Sequence, residues 1–256
     1  MLAQQTTSTL PYDRKQPFWA LRLLRAAVIR GLRDKRMDQQ YWAWLNAEWN
    51  AGRLMRPGLA LQSLRAHPRT FLKKYPIQNN FDPHNSGVFN VYIFNGGGGQ
   101  RPGSILKTQR MHTTESFTIQ AAPGQLGEGH PFWVHGLHTG LSSAGPIWSL
   151  LDGAGPDIML TAKLTGCTFV ARQAAGQPPG LVEITHMLPH QETGINLNTR
   201  MTIPGQYAYG RLNYDIDVRS INVIGVRQNG GWKIYAQKLE KQNLVIRSVT
   251  RVFPPE

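Results

Sequence analysis

Apolar and polar residues change their spacing near the end of the first third of the chain. From Gln16 to Arg36, Phe18, Leu21, Leu24, Val28 and Leu32 recur at three- and four-residue intervals, with arginines between them. That period predicts an amphipathic helix. A second helix is predicted from Asp38, a good N-cap, to about Arg53, carrying Tyr41, Trp42, Trp44, Leu45 and Trp49. A third helical or irregular piece covers Leu59 to Leu72. From about Tyr75 onward, short alternating runs are separated by Gly, Pro and Asn, the pattern of strands and turns. Strands are predicted at 87–94, 116–122 and 158–167, and on either side of the loop 172–180. Further strands follow at about 206–218, 220–227, 231–238 and 243–253. Gln228-Asn229-Gly230-Gly231 is a strong hairpin turn between two of them.

Nine or so strands, many of them consecutive, predict an α+β chain whose core is a two-layer β-sandwich of mixed sheets with peripheral helices. Composition divides it. Residues 1–75 carry 14 Lys and Arg against 4 Asp and Glu, whereas residues 76–256 carry 14 against 11. The net charge of +13 therefore lies mostly in a basic, aromatic-rich helical segment, 1–75, ahead of a nearly neutral β domain, 76–256. One reading of the basic segment is a surface for anionic membrane, nucleic acid or an acidic partner. The other is a helical cap with solvated arginines, and the aromatic face favours the cap. The β domain has no nucleic-acid motif. No run approaches the roughly 20 apolar residues that span a bilayer. The polar Met1–Leu10 stretch lacks the apolar centre of a secretory signal.

Two features that suggest a site are weak. Gly96-Gly97-Gly98-Gly99 is not followed by Gly-Lys-Ser/Thr or by a helix, so it reads as a hairpin connection and not as a phosphate loop. His130, His135 and His138 lie in what reads as a loop, spaced unlike zinc ligands and without a nearby carboxylate or cysteine. No metal is expected there.

The single cysteine carries more. Cys167 excludes an intrachain disulfide and stands in Leu164-Thr165-Gly166-Cys167, just ahead of the apolar run Thr168-Phe169-Val170-Ala171. After the loop, Leu181-Val182-Glu183-Ile184-Thr185-His186-Met187 alternates as a strand. Folding the two strands back between Gly176 and Gln177 sets Cys167 opposite His186, Phe169 opposite Ile184 and Ala171 opposite Val182. A one-residue slip would bring Glu183 to the apolar side, so parity keeps thiol and imidazole on one face. Directly opposed residues have Cβ atoms about 4.5–5.5 Å apart. A cysteine nucleophile needs a base at such a distance. A buried core cysteine beside a strand histidine satisfies the same pattern.

The Leu-Thr-Gly-Cys run, with a histidine on the next strand, resembles the Cys–His glutamine deamidase toxins. That family includes the catalytic domain of cytotoxic necrotizing factor and the Burkholderia lethal factor. Its hallmark is Leu-Ser-Gly-Cys; Thr165 keeps the hydroxyl of the serine. The interval to His186 is longer than the family's, and the Gln/Pro/Gly loop accommodates the difference. The likeness covers residues 158–187 or so. It implies a β-sandwich deamidase in which Cys167 attacks a glutamine carboxamide and His186 holds the thiolate as an ion pair. Thr161 would orient the imidazole, and the backbone at Thr165 and Gly166 would face substrate and oxyanion. No metal or cofactor is implied. The implied substrate is a host protein, a Rho-type GTPase or a translation-initiation RNA helicase. The implied setting is a secreted or injected bacterial effector acting in host cytoplasm. Another cysteine hydrolase or acyl-transfer enzyme could use the same pair of residues.

Overall fold

The computed structural model describes residues 43, 46–52, 54–102, 111–121, 129–177, 180–214, 220–240 and 244–256. The chain forms two compact units, Met1–Arg53 and Leu54–Glu256. In the first, residues 46–50 are helical, within the stretch predicted as the second helix; the helix predicted over 16–36 lies outside the described residues. All that follows concerns the second unit.

This unit is α+β, with two mixed sheets packed as a sandwich-like core and few helices. Two helices come first, α1 (Pro57–Ala66) and α2 (Pro68–Lys74), each with proline in its first turn, where the missing N–H costs nothing. The strands are β1 (Ile77–Asn79), β2 (Gly87–Pro102), β3 (Met111–Gln120), β4 (His130–Leu137), β5 (Thr139–Leu141), β6 (Ser149–Leu151) and β7 (Ile158–Thr161). They continue as β8 (Thr168–Gln173), β9 (Val182–Leu188), then helix α3 (Gly194–Met201), β10 (Gln206–Tyr209), β11 (Ser220–Gln228), β12 (Gly231–Leu239) and β13 (Ile246–Phe253). The larger sheet runs β1-β3-β2-β4-β7-β11-β12-β13; the smaller runs β10-β8-β9-β5, with β6 also paired to β9.

Alternation along the strands explains the layering. Leu61, Leu64, Phe71 and Leu72 of the first two helices bury one face of the larger sheet with Ile93, Phe117, Ile158 and Ile224. The other face of that sheet offers Met159, Val223, Trp232 and Ile234 to Phe169, Ala171, Val182 and Ile184 of the smaller sheet. Beneath the smaller sheet, Val170 and Met187 pack on Leu197 and Met201 of α3.

Several expectations change. The boundary at 75/76 falls inside a unit that begins at Leu54, because α1 and α2 bury their apolar side chains in the sheet core and only their charged faces follow the basic segment. The glycine run is not a connection: β2 continues through it to Pro102 and pairs with β3, with a register shift between Asn95 and Gly97. The three-histidine stretch is a strand, in which Phe132 and Val134 alternate inward. The strand expected over 158–167 is two pieces. It ends at Thr161 in the larger sheet, Leu164 bridges to Ile221, and the chain crosses to the smaller sheet before β8 begins. That crossing builds the site described next.

Candidate active site

Cys167 lies at the end of the crossing and His186 on β9. The strands β8 and β9 pair antiparallel with Phe169 opposite His186, Ala171 opposite Ile184 and Gln173 opposite Val182. The expected parity holds, but the register is displaced by two residues. The pairing is centred one position later than the expected midpoint, so His186 faces Phe169 and Cys167 stands diagonally from it. Both remain on the side that faces the larger sheet, where Cys167, Phe169, Ala171, Val182 and Ile184 form one cluster. Diagonal neighbours in a regular ladder have Cα atoms about 7–8 Å apart, farther than opposed ones. No hydrogen bond joins thiol and imidazole; His186 Nε2 is buried without a partner.

The other ring nitrogen is fully engaged. Thr161 ends β7 in the opposite sheet, and its Oγ1 is 2.5 Å from His186 Nδ1. The same hydroxyl donates to the Leu137 carbonyl at 3.0 Å. A hydroxyl has one proton, so toward the imidazole Thr161 can only accept. Nδ1 therefore carries the hydrogen, and Nε2 presents an unprotonated lone pair. Thr139, the direct partner of His186 in the parallel β5–β9 pairing, brings a second hydroxyl to 3.0 Å from Nδ1. The Thr161 carbonyl is itself held by Asn79 Nδ2 at 2.6 Å, and Asn79 Oδ1 accepts from the Phe81 N–H at 3.0 Å.

Burial sets the charge state. His186 is 1% exposed, and desolvation, with His138 nearby, lowers its pKa to about 3. Cys167 is 4% exposed, and desolvation raises its thiol to about 11. Backbone groups of Thr165 and Cys167 oppose that rise, and Asp82 adds to it. Burial favours the neutral form of both groups. Burial thus opposes the thiolate–imidazolium pair that the resemblance implies, because the sheets exclude the water that would support either charge.

The flanking backbone is braced from one side. Tyr214, itself buried, donates its hydroxyl to the Cys167 carbonyl at 2.9 Å. At the start of α3, a Cβ on Gly194 would come within 2.6 Å of the Gly166 carbonyl oxygen, so the helix approaches this backbone as closely as a glycine allows. Thr165 is exposed and Gly166 half-buried. Gly166 has no left-handed φ, and a Cβ there would meet nothing within 4 Å. The chain bends at Thr165 and Gly166, and the position a Gly166 side chain would take is open.

The three histidines between 130 and 138 disperse. His130 lies against Gly58 of α1, and His135 meets the Trp232 ring at 5.7 Å. His138 donates from Nδ1 to the Pro83 carbonyl at 2.9 Å. Among the described residues, no group of three His, Cys, Asp or Glu is arranged to hold a metal ion.

The structure thus brings Thr161, His186 and Cys167 to one inter-sheet face, with Thr165 and Gly166 at the less buried end of the chain leading to Cys167. Sequence reasoning missed Thr139, Asn79 and Tyr214. Their contacts with the site come from positions 47, 82 and 47 residues away in the chain, so no local pattern marks them. No family model matches the chain, and no curated protein matches its sequence.

Proposed function

We propose that this protein is a cysteine-dependent protein-glutamine deamidase. The observation that carries the reading is the lock on His186. Thr161 can only accept from Nδ1–H, which leaves Nε2 as a buried, unpartnered base on the same face as the single thiol. An unpaired buried acceptor costs about 1–3 kcal/mol, and such a cost at one histidine is consistent with a catalytic role.

The steps follow from these groups. A glutamine side chain enters over the open space at Gly166. Cys167 Sγ attacks the carboxamide carbon as its proton passes to His186 Nε2, so thiolate forms only during attack. The developing oxyanion is met by backbone N–H groups near Gly166 and Cys167; each such donor is worth roughly 3 kcal/mol. Nε2–H then protonates the departing nitrogen, the C–N bond breaks, and ammonia leaves a thioester. Water gives a proton to Nε2 and attacks the thioester carbon; the sulfur leaves and regains its proton. One glutamine and one water become one glutamate and one ammonia.

Support for this reading over other cysteine hydrolases comes from the Leu164–Cys167 run and its likeness to the deamidase toxins. By that likeness the substrate is a host protein, a Rho-type GTPase or a translation-initiation RNA helicase, reached in host cytoplasm. The test incubates these candidates with wild type and Cys167→Ala and maps glutamine-to-glutamate conversion by peptide mass spectrometry. Conversion at one glutamine by wild type alone supports the reading. Backbone cleavage, or equal conversion by both proteins, overturns it.

A further inference from the structure

Two hydroxyls meet one nitrogen of His186, and they are not equivalent. Thr161 Oγ1 has committed its proton to Leu137 O and can only accept. Thr139 Oγ1, 3.0 Å from the same nitrogen, has no such commitment among the described contacts and can either accept or donate. It comes from the smaller sheet and Thr161 from the larger, so the ring is gripped from both layers. β5 is itself pinned where it begins. The His138 N–H donates to Ser86 Oγ at 3.1 Å, and its ring donates to the Pro83 carbonyl.

We propose that Thr139 is a second positioning residue for His186, sharing the Nδ1 hydrogen with Thr161 and holding the ring plane while Nε2 gains and loses a proton. This rests on the deamidase reading for its rate effect but not for its structural content. When Nε2 is protonated the ring is cationic, and both hydroxyls then accept from a charged N–H, the state in which such bonds are strongest. The two threonines differ in what their loss does. Without Thr139, Thr161 still forces the hydrogen onto Nδ1. Without Thr161, the Thr139 hydroxyl can donate to Nδ1 as well as accept from it, so the tautomer with its hydrogen on Nε2, which is no base, becomes allowed.

Long-range ¹⁵N–¹H correlation spectra of the His186 ring read the tautomer directly. Wild type and Thr139→Val should both show Nδ1–H. Thr161→Val should show a share of Nε2–H absent from wild type, and adding Thr139→Val to it should diminish that share. Identical ring spectra for Thr161→Val and the double variant would overturn the proposal. On a deamidated target, Thr139→Val should lower kcat roughly tenfold at unchanged KM, the size of one hydrogen bond to a charged group, and Thr139→Ser should restore it. An unchanged kcat in Thr139→Val would also overturn it. If no target is deamidated by any form, the deamidase reading fails, and the ring spectra still decide the role of Thr139.

Discussion

The protonation of His186 has a measurable consequence for stability, masked in the wild type by a second buried group. Desolvation in the folded protein lowers the imidazole from its ordinary pKa of 6.5 to about 3. Between these values the unfolded chain binds a proton that the folded one does not. Stability therefore rises with pH across that window, by about 1.4 kcal/mol per unit, and about 4–5 kcal/mol is lost as pH falls from 6.5 to 3. Glu115, 6% exposed, acts in the opposite sense. Desolvation raises its pKa from 4.5 to about 7, against the Met55 N–H, Asn95 and Lys74, which lower it. Its stabilisation is present below 4.5 and is lost as pH rises to 7, again by about 1.4 kcal/mol per unit. From pH 4.5 to 6.5 the two slopes cancel. Glu115→Gln should uncover the His186 slope, and Glu115→Gln combined with His186→Gln should remove it. Urea unfolding at half-unit steps from pH 4.5 to 6.5 supplies the comparison, and difference curves eliminate every other titrating group. If the single and double variants run parallel, His186 keeps its proton in the folded protein, and the case for Nε2 as a free base collapses.

Three further outcomes follow from the site. In the absence of substrate, alkylation of Cys167 by iodoacetamide should be slow at neutral pH and still rising beyond pH 9, because burial raises the thiol to about 11; a plateau below pH 8 would reveal a resting ion pair. Gly194→Ala should push its methyl into the Gly166 carbonyl and the Arg211 side chain, costing about 1–3 kcal/mol and slowing deamidation, as thermal unfolding and product mass spectra would show. Gly166→Ala, with open space around it, is the neutral control for stability. Tyr214→Phe should cost about 1–2 kcal/mol in urea unfolding, since the buried Cys167 carbonyl loses the tyrosine hydroxyl.

How far the site is legible in the chain depends on which residues touch locally. The alternation of Val182 and Ile184 against Phe169 and Ala171 sets a parity, and parity alone puts Cys167 and His186 on one face. It does not choose between registers two residues apart, because both bury the same side chains. The choice lies in where the Gly/Pro loop reverses, and that is governed by loop backbone, not by apolar pattern. Thr161 enters through the likeness to the deamidase toxins, and its hydroxyl does meet the imidazole. That it does so across two sheets is not legible, since Ile158–Cys167 reads as one continuous strand and nothing in it signals the crossing. The helix Gly194–Met201 leaves little trace because its eight residues bury only Leu197, Asn198 and Met201. In β2, the glycines carry no side-chain alternation, so the continuation of the strand beyond Phe94 is visible only through its partner.

The most direct test of the central claim, attack by Cys167 on a glutamine carboxamide with His186 as base, is covalent trapping. A peptide whose glutamine carboxamide is replaced by a diazoketone presents an electrophile where the reacting carbon would lie. Intact-mass and peptide-mapping spectra should show one equivalent bound at Cys167 in wild type and a much slower reaction in His186→Ala. Labelling that ignores His186, or that falls on residues other than Cys167, would contradict the account.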